Sequence, residues 1–494
     1  PTKFLQPIGK MVQGVAIEDG CIINRNPADG SLIAKVPIST PEEIENVITA
    51  AKNAQPAWAQ VPLEERCAIL TSSVEETLSS QIVSTSRVVV EEMGKILSEA
   101  IEEIEAAAEK EEFMALVKKA NEAQHVGGNC VIVRDPHGVV AILAPWNFPV
   151  DEILLLALPA LAAGNAVVIK PSEVAPLSGE KAVEALQADT PPGLVGLIQG
   201  DGAAGAQLVS SPDVDMVAMT GSSATGKKIL TSCAADLKRV VLELGGKDPM
   251  VVFADADVEL AAKHAVDYSL MNCGQVCCAI ERIYVAEEIR APFEERVAEM
   301  ASEYISGDGL EASSKIGPLV TKSQRDIVAK HVEGAIAAGA KVLVGGPEAA
   351  SILAAENPNG NFYPATVLTD VPQDAKISHE ETFGPVISIT PFDGQDATGV
   401  ELANDTEYGL SACVYTNDVE RGARVASAIR AGQVGINNWP LDMASLECPW
   451  VGQKGSGFGY HSGADGWRQF SSPKSIIFND SASATAIPDK NNEE

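Results

Sequence analysis

The chain has 494 residues, 46% of them hydrophobic and 21% charged, which allows two or three domains around large buried cores. Its 36 Lys and Arg face 68 Asp and Glu, for a formal charge of -32. That field repels phosphates and argues against nucleic-acid or anionic-membrane partners.

Helix and strand signals alternate for most of the length. "STPEEIENVITAAKNAQPAW" opens with Thr40 as N-cap, Pro41 at the first helical position and Glu43 at the third, the pattern of a capping box. One long amphipathic helix is expected from about Val88 to Ala120. "CVIVRDPHGVVAIL" reads as two strands around a turn at Asp135–Gly138. The longest apolar run, "ILLLALPALAAGNAVVI", is broken by Pro159, Gly164 and Asn165 and falls short of the ~20 apolar residues that span a bilayer. Short β-rich runs then recur ("AVVIK", "LVGLIQ", "VDMVAMT", "RVVLEL", "PMVVF", "RIYV", "KVLVGG") with helical stretches between them. That alternation predicts an α/β fold with parallel sheets and right-handed crossovers. The tail "PDKNNEE" is polar and expected to be disordered.

Nine cysteines are scattered, and no CxxC pair or clustered His occurs. Reduced thiols and no metal site are expected. The chain starts at Pro1, so the expected location is cytoplasmic, or an organelle after removal of a targeting peptide.

Two Gly-rich loops compete for a phosphate. "GDGAAG" (Gly200, Gly202, Gly205) satisfies G-x-G-x-x-G, but the next strand ends in "TGSS", where an acidic ribose ligand should stand. "TGSSATGKK" (Thr220–Lys228) lies between a strand and a helix with hydroxyls at the helix N-terminus; a plain helix cap is the alternative. "VVIKPSE" puts Lys170 and Glu173 just past a strand, as a ribose grip or a surface pair. "MNCGQVCCAIERIYV" (Met271–Val285) carries adjacent Cys277 and Cys278, one a nucleophile or both core residues.

Seven motifs in order resemble the aldehyde dehydrogenase family: "PWNFP", "IKPSE", "MTGSSATG", "LELGGKDP", "GQVCC", "EETFGPV" and "PWVGQKGSGFG". The resemblance implies the aldehyde dehydrogenase fold, with two Rossmann-like α/β domains and a β-hairpin oligomerisation element. It implies a cofactor-binding domain over 1–120 and 141–247 and a catalytic domain over 248–448. Segment 449–468 returns to the active site, and 121–140 with 469–494 forms the oligomerisation element of a homodimer or homotetramer.

The resemblance also assigns roles. Cys277 is the nucleophile, Glu243 the water activator, and Asn147 the oxyanion donor together with the Cys277 backbone N–H. Cys278 packs behind the loop. Trp146, Lys170, Glu173, Gly221, Ser222, Leu244, Glu381 and Phe383 contact the cofactor. NAD is expected, with NADP as the alternative, because Glu173 repels a 2′-phosphate. The small-molecule aldehyde is expected to meet Phe148, Glu152, Leu155, Met271 and Trp450. The Arg that semialdehyde enzymes carry at the Leu155 position is absent. Glu152 suggests a cationic aldehyde such as betaine aldehyde or an aminoaldehyde, read through charge and aromatic faces. A broad aliphatic aldehyde is the alternative, with Glu152 as a carboxylate turned to solvent at the tunnel mouth. Tyr460 and His461 depart from the Arg-Glu pair common in the family; His461 either relays protons or packs. A coenzyme-A-acylating enzyme and a non-catalytic family member are the rivals.

Overall fold

The computed structural model describes residues 15–487. The expected disordered tail "PDKNNEE" lies outside them. Thr40 caps the helix Pro41–Trp58: its hydroxyl accepts from the Glu43 N–H while the Glu43 carboxylate accepts from the Thr40 N–H. The single helix expected from Val88 to Ala120 is instead three: Ile82–Met93, Leu97–Ala108 and Glu111–Asn121. Gly94 at φ 93° closes the first, and Glu109 leaves helical geometry after the second. A Gly in a helical pattern costs only about 1 kcal/mol, so composition hides a break that tertiary packing exploits. A Cβ on Gly94 would lie 2.8 Å from Pro318.

The first sheet has six strands, in the order Gly457–Phe458, Arg239–Glu243, Met216–Thr220, Val139–Leu143, Ala166–Lys170, Val195–Leu197. All pairs are parallel except the first. The chain order reverses between Val139–Leu143 and Met216–Thr220. In open parallel sheets ligands sit beyond the carboxyl ends of the strands at such a point. The second sheet has seven strands, in the order Lys341–Val344, Thr366–Thr369, Val386–Phe392, Ile280–Ala286, Asp248–Val252, Ser411–Tyr415, Gln433–Ile436; only the first runs antiparallel. The first sheet packs on one core, drawn from residues Ile44 to Leu244 with Val320, Trp467 and Phe470; the second packs on two, a larger one drawn from Met250 to Trp439 and a smaller one around Phe253, Tyr284 and Phe392.

The two strands expected around Asp135–Gly138 form, but they do not pair. Cys130–Pro136 joins an antiparallel sheet between Ser471–Ile477 and Gln124–Val126. Val139–Leu143 enters the first parallel sheet. Gly138 at φ 133° makes the change of direction, and a Cβ there would strike the Asp215 carboxylate. Among the described residues no helix is long and apolar enough to cross a membrane.

Candidate active site

The strand Val139–Leu143 delivers Asn147, and the helix Asp151–Ala162 follows it. Asn147 is buried. Its Nδ2 donates to the Gln275 carbonyl at 3.1 Å, and Asn272 Nδ2 donates to the Asn147 carbonyl at 3.1 Å. These paired amides join the two sheets' loops.

The loop before Cys277 is wound left-handed. Asn272 (φ 51°), Cys273 (φ 58°) and Gly274 (φ 70°) follow one another. A non-Gly residue in that region costs about 1–2 kcal/mol, so neighbours must hold it. Glu99 accepts from the Asn272 N–H at 2.9 Å, and the Gln275 side-chain oxygen accepts from the Val320 N–H at 2.9 Å. A Cβ on Gly274 would lie 2.1 Å from the Gly384 carbonyl.

Cys277 is half-buried and Cys278 fully buried. Cys278 packs as expected, and its carbonyl accepts from the Trp439 indole at 3.0 Å. Its thiol also hydrogen-bonds Cys277. That bond, burial and the Glu243 carboxylate together hold the Cys277 thiol well above the usual range, so it rests protonated and needs a base to become the stronger nucleophile.

Glu243 ends the strand Arg239–Glu243 and is buried. Trp450 Nε1 donates to its Oε1 at 2.6 Å. Burial pushes its carboxyl up to about 7, with the Trp450 and Cys277 hydrogen bonds opposing. A carboxyl near 7 suits a general base at neutral pH. The return segment builds the far wall: Gly457 pairs with Glu243, and Trp450 pairs with His461.

Glu152 is only partly buried, and one of its oxygens is engaged within the protein. Its Oε2 accepts from the Thr220 hydroxyl at 3.0 Å. Burial, then the nearby Glu243 charge, raises its carboxyl well above the ordinary value, so it favours the neutral form. Phe148, Met271, Trp450 and Cys277 all pack against the second core, whereas Leu155 packs against the first. Lys95 Nζ lies 3.9 Å from the centre of the Phe148 ring.

Trp146, Lys170, Glu173, Gly221, Ser222 and Leu244 lie at or just past the carboxyl ends of first-sheet strands, whereas Glu381 and Phe383 precede the second-sheet strand Val386–Phe392. Lys170 ends its strand, and its Nζ donates to the Pro171 carbonyl (2.7 Å) and to Glu173 (3.3 Å). Ser222 caps the helix Ser223–Cys233 and is exposed beside Gly221. At "GDGAAG" the Asp201 carboxylate takes the Ala203 N–H at 2.9 Å. A carboxylate already occupies that helix start, which disfavours a phosphate there. Trp146 and Phe383 meet edge to face at 5.4 Å. Glu381 accepts from the Gly246 N–H at 3.1 Å, and burial pushes its carboxyl up to about 8. The Leu244 N–H donates to the Ser456 carbonyl at 2.9 Å.

The profile of the Aldehyde dehydrogenase family matches residues 15–476. The chain belongs to this family. It is an oxidoreductase that acts on aldehydes. It is 37% identical over 474 residues to a betaine aldehyde dehydrogenase of Sinorhizobium fredii, covering 94% of this chain and 96% of that one. It is also 37% identical over 441 residues to an NADP-dependent succinate-semialdehyde dehydrogenase of Escherichia coli, covering 88% and 89%. A mutant of aldehyde dehydrogenase C from Pseudomonas syringae, solved with NAD+ and octanal, superposes with a TM-score of 0.86 at 31% identity, covering 93% and 94%.

Several supports of this aldehyde dehydrogenase's site escaped sequence reading. Asn272, Gln275 and Glu99 hold the left-handed loop. Their only signal is proximity to Cys277, or none for Glu99. Lys247 and Glu281 form a buried pair, and Glu281 accepts the Thr382 and Phe383 N–H groups at 2.8 Å each. That clamp orients the loop carrying Glu381 and Phe383. Gly245 and Gly246 are required by space: a Cβ would lie 2.5 Å from Glu381 or 2.3 Å from the Cys277 carbonyl.

Proposed function

We propose that this aldehyde dehydrogenase converts an uncharged aldehyde to its carboxylate through a thioester on Cys277. Glu243 takes the thiol proton, and the sulfur adds to the carbonyl carbon. The oxyanion is met by Asn147 Nδ2 and the Cys277 N–H. Lys170, Glu173, Ser222 and Glu381 would hold NAD or NADP, which would supply the acceptor for the hydride leaving that carbon. The product is a thioester and no longer a hemithioacetal. Glu243 releases the thiol proton to solvent and then takes one from water, the hydroxide adds to the thioester, and the carboxylic acid departs as Glu243 returns that proton to the Cys277 sulfur.

The donor set fits a dinucleotide. A buried Lys–Glu pair suits a ribose diol, and an exposed serine hydroxyl at a helix start suits a pyrophosphate. Glu173 beside the ribose favours NAD over NADP.

The preference for an uncharged aldehyde is carried by Glu152. Its carboxyl faces Thr220 and Glu243 and favours its neutral form, so it offers a cation little charge. Lys95, paired with Glu103 at 2.6 Å, already lies over Phe148, so that ring face is not free for a second cation. Relatives of near-equal identity act on betaine aldehyde and on succinate semialdehyde, so overall identity does not choose between the classes.

The test is kcat/KM for hexanal, betaine aldehyde, an aminoaldehyde and succinate semialdehyde, on wild type and Glu152→Gln. Hexanal is expected to lead, with the ranking unchanged in the variant. A lead for betaine aldehyde that collapses selectively in Glu152→Gln would overturn the assignment.

The three-stranded sheet also supports self-association. Its outer strands Gln124–Val126 and Ser471–Ile477 present free edges, with Ile477 71% exposed. Exposed edges are templates for pairing, and sedimentation velocity should show a homodimer or homotetramer.

A further inference from the structure

Three side chains from distant parts of the sequence meet behind Cys277. Glu152 lies in the first turn of the helix Asp151–Ala162, Glu243 at the end of its strand, and His461 on the short strand Tyr460–His461. One ligand atom from each lies within 4.8 Å of the others.

Each side chain is anchored through a different atom. Glu152 Oε2 takes the Thr220 hydroxyl, Glu243 Oε1 takes the Trp450 indole, and His461 Nδ1 meets Ser462 Oγ at 2.8 Å. Outer hydrogen bonds of this kind fix the orientation of metal ligands. The opposite atoms, Glu243 Oε2 and His461 Nε2, are buried with no N–H or O–H partner. His461 is only 3% exposed, so solvent does not satisfy it. A buried polar atom left unpaired costs about 1–3 kcal/mol. His461 Nε2 is such an atom, and the Glu243 carboxylate beside it has only the weak Cys277 S–H besides the Trp450 indole; with the Glu152 carboxyl they call for a common partner.

We propose that Glu152, Glu243 and His461 form a binding site for a first-row divalent cation, best matched by Zn2+. On binding, the ion displaces the protons of Glu152 and Glu243, and the two carboxylates then neutralise the dication. One imidazole and two oxygens favour zinc over the all-oxygen preference of magnesium or calcium. Three protein ligands leave a fourth position open, the arrangement of an accessible zinc site. The ion would occupy the Glu243 oxygen that otherwise receives the proton of water, so it would inhibit turnover reversibly. That inhibition, unlike the binding, rests on Glu243 being the water activator proposed above.

The experiment is calorimetric titration of Zn2+ into the full chain, into Glu152→Gln, His461→Gln and Cys448→Ser, with thermal unfolding to show that each is folded. His461→Asn replaces His461→Gln if the latter does not fold. Co2+ spectra accompany the titration, because thiolate ligation adds a charge-transfer band. One ion per chain is expected, bound at least about tenfold more weakly in the Glu152 and His461 variants. Binding should be unchanged in Cys448→Ser, and the Co2+ spectrum should lack a thiolate band. The proposal fails if wild type binds no Zn2+, if both variants bind as wild type does, or if the thiolate band appears. If binding follows the prediction but saturating Zn2+ leaves turnover unchanged, the site stands and the role of Glu243 as water activator falls.

Discussion

Gly246→Ala adds a single methyl group beside Cys277, the proposed nucleophile. Gly246 has no positive φ, so backbone strain is not involved and the effect is steric. The new Cβ would lie 2.3 Å from the Cys277 carbonyl and 2.8 Å from Asp248 Oδ1. Real Cβ contacts do not fall below about 3.0 Å, so the Cys277 carbonyl must retreat by the difference, roughly 0.7 Å. The methyl cannot shift away instead, because its other close neighbour, Asp248, is held by the Ser411 N–H and hydroxyl at 3.0 and 2.6 Å. Overpacking of this size costs about 1–3 kcal/mol of stability. Misplacement of a reacting group by about 1 Å costs about a hundredfold in rate, so kcat/KM should fall on the order of tenfold to a hundredfold. The measurements are kcat/KM, the rate of Cys277 alkylation and thermal unfolding. Gly334→Ala is the control: its Cβ meets nothing within 4 Å in the helix Lys322–Ala338, and it should gain up to about 1 kcal/mol. A folded Gly246→Ala with wild-type kcat/KM would refute the steric argument.

Asn147→Ala removes the proposed oxyanion donor and should lower kcat by about 10²–10³, with KM changed far less; a loss confined to KM contradicts the assignment. Trp450→Phe removes the indole donor to Glu243 at 2.6 Å. A hydrogen bond to a charged group is worth about 1.5–3 kcal/mol, so thioester hydrolysis should slow at least about tenfold and rapid mixing should show a burst of reduced cofactor before a slow steady rate. An unchanged kcat without a burst would exclude Trp450 from that step. Glu92 is buried, and desolvation pushes its carboxyl up to about 7 despite bonds from Ser178, Leu177 and Asn24. With its folded value raised, its contribution to stability is complete below its unfolded value of about 4.5 and is lost as pH climbs towards about 7, by about 3 kcal/mol in all. Glu92→Gln should flatten that slope in denaturant titrations at several pH values; an undiminished slope would assign it to other groups.

Local chemistry made much of this fold legible. The Thr40–Glu43 capping box, the apolar strands and the Ser222 cap all act over a few residues, and each stands where its pattern placed it. Information carried by distant partners was not legible. The break at Gly94 depends on Pro318, and the strand Cys130–Pro136 chooses Ser471–Ile477 over its sequence neighbour. In the candidate site, Asn147, Glu243 and Cys277 were named by the resemblance of their motifs to one family, not by their own local chemistry. The environment of Glu152 was not readable, because its neighbours Thr220 and Glu243 come from other strands. The same holds for His461, whose proximity to Glu243 arises only when two short antiparallel strands form.

Those two short strands have a consequence for biosynthesis. A ribosome delivers Asn147, Glu243 and Cys277 well before Trp450, Gly457 and His461 emerge. Until they do, the Glu243 carboxylate has no indole to hold it and its strand lacks an edge partner. The proposed water-activating centre is therefore assembled last, and specific activity becomes a readout of completed synthesis. A chain cut before residue 449 would carry a thiol that can be alkylated but an unclamped base, and would be counted by a thiol label while being missed by a turnover assay.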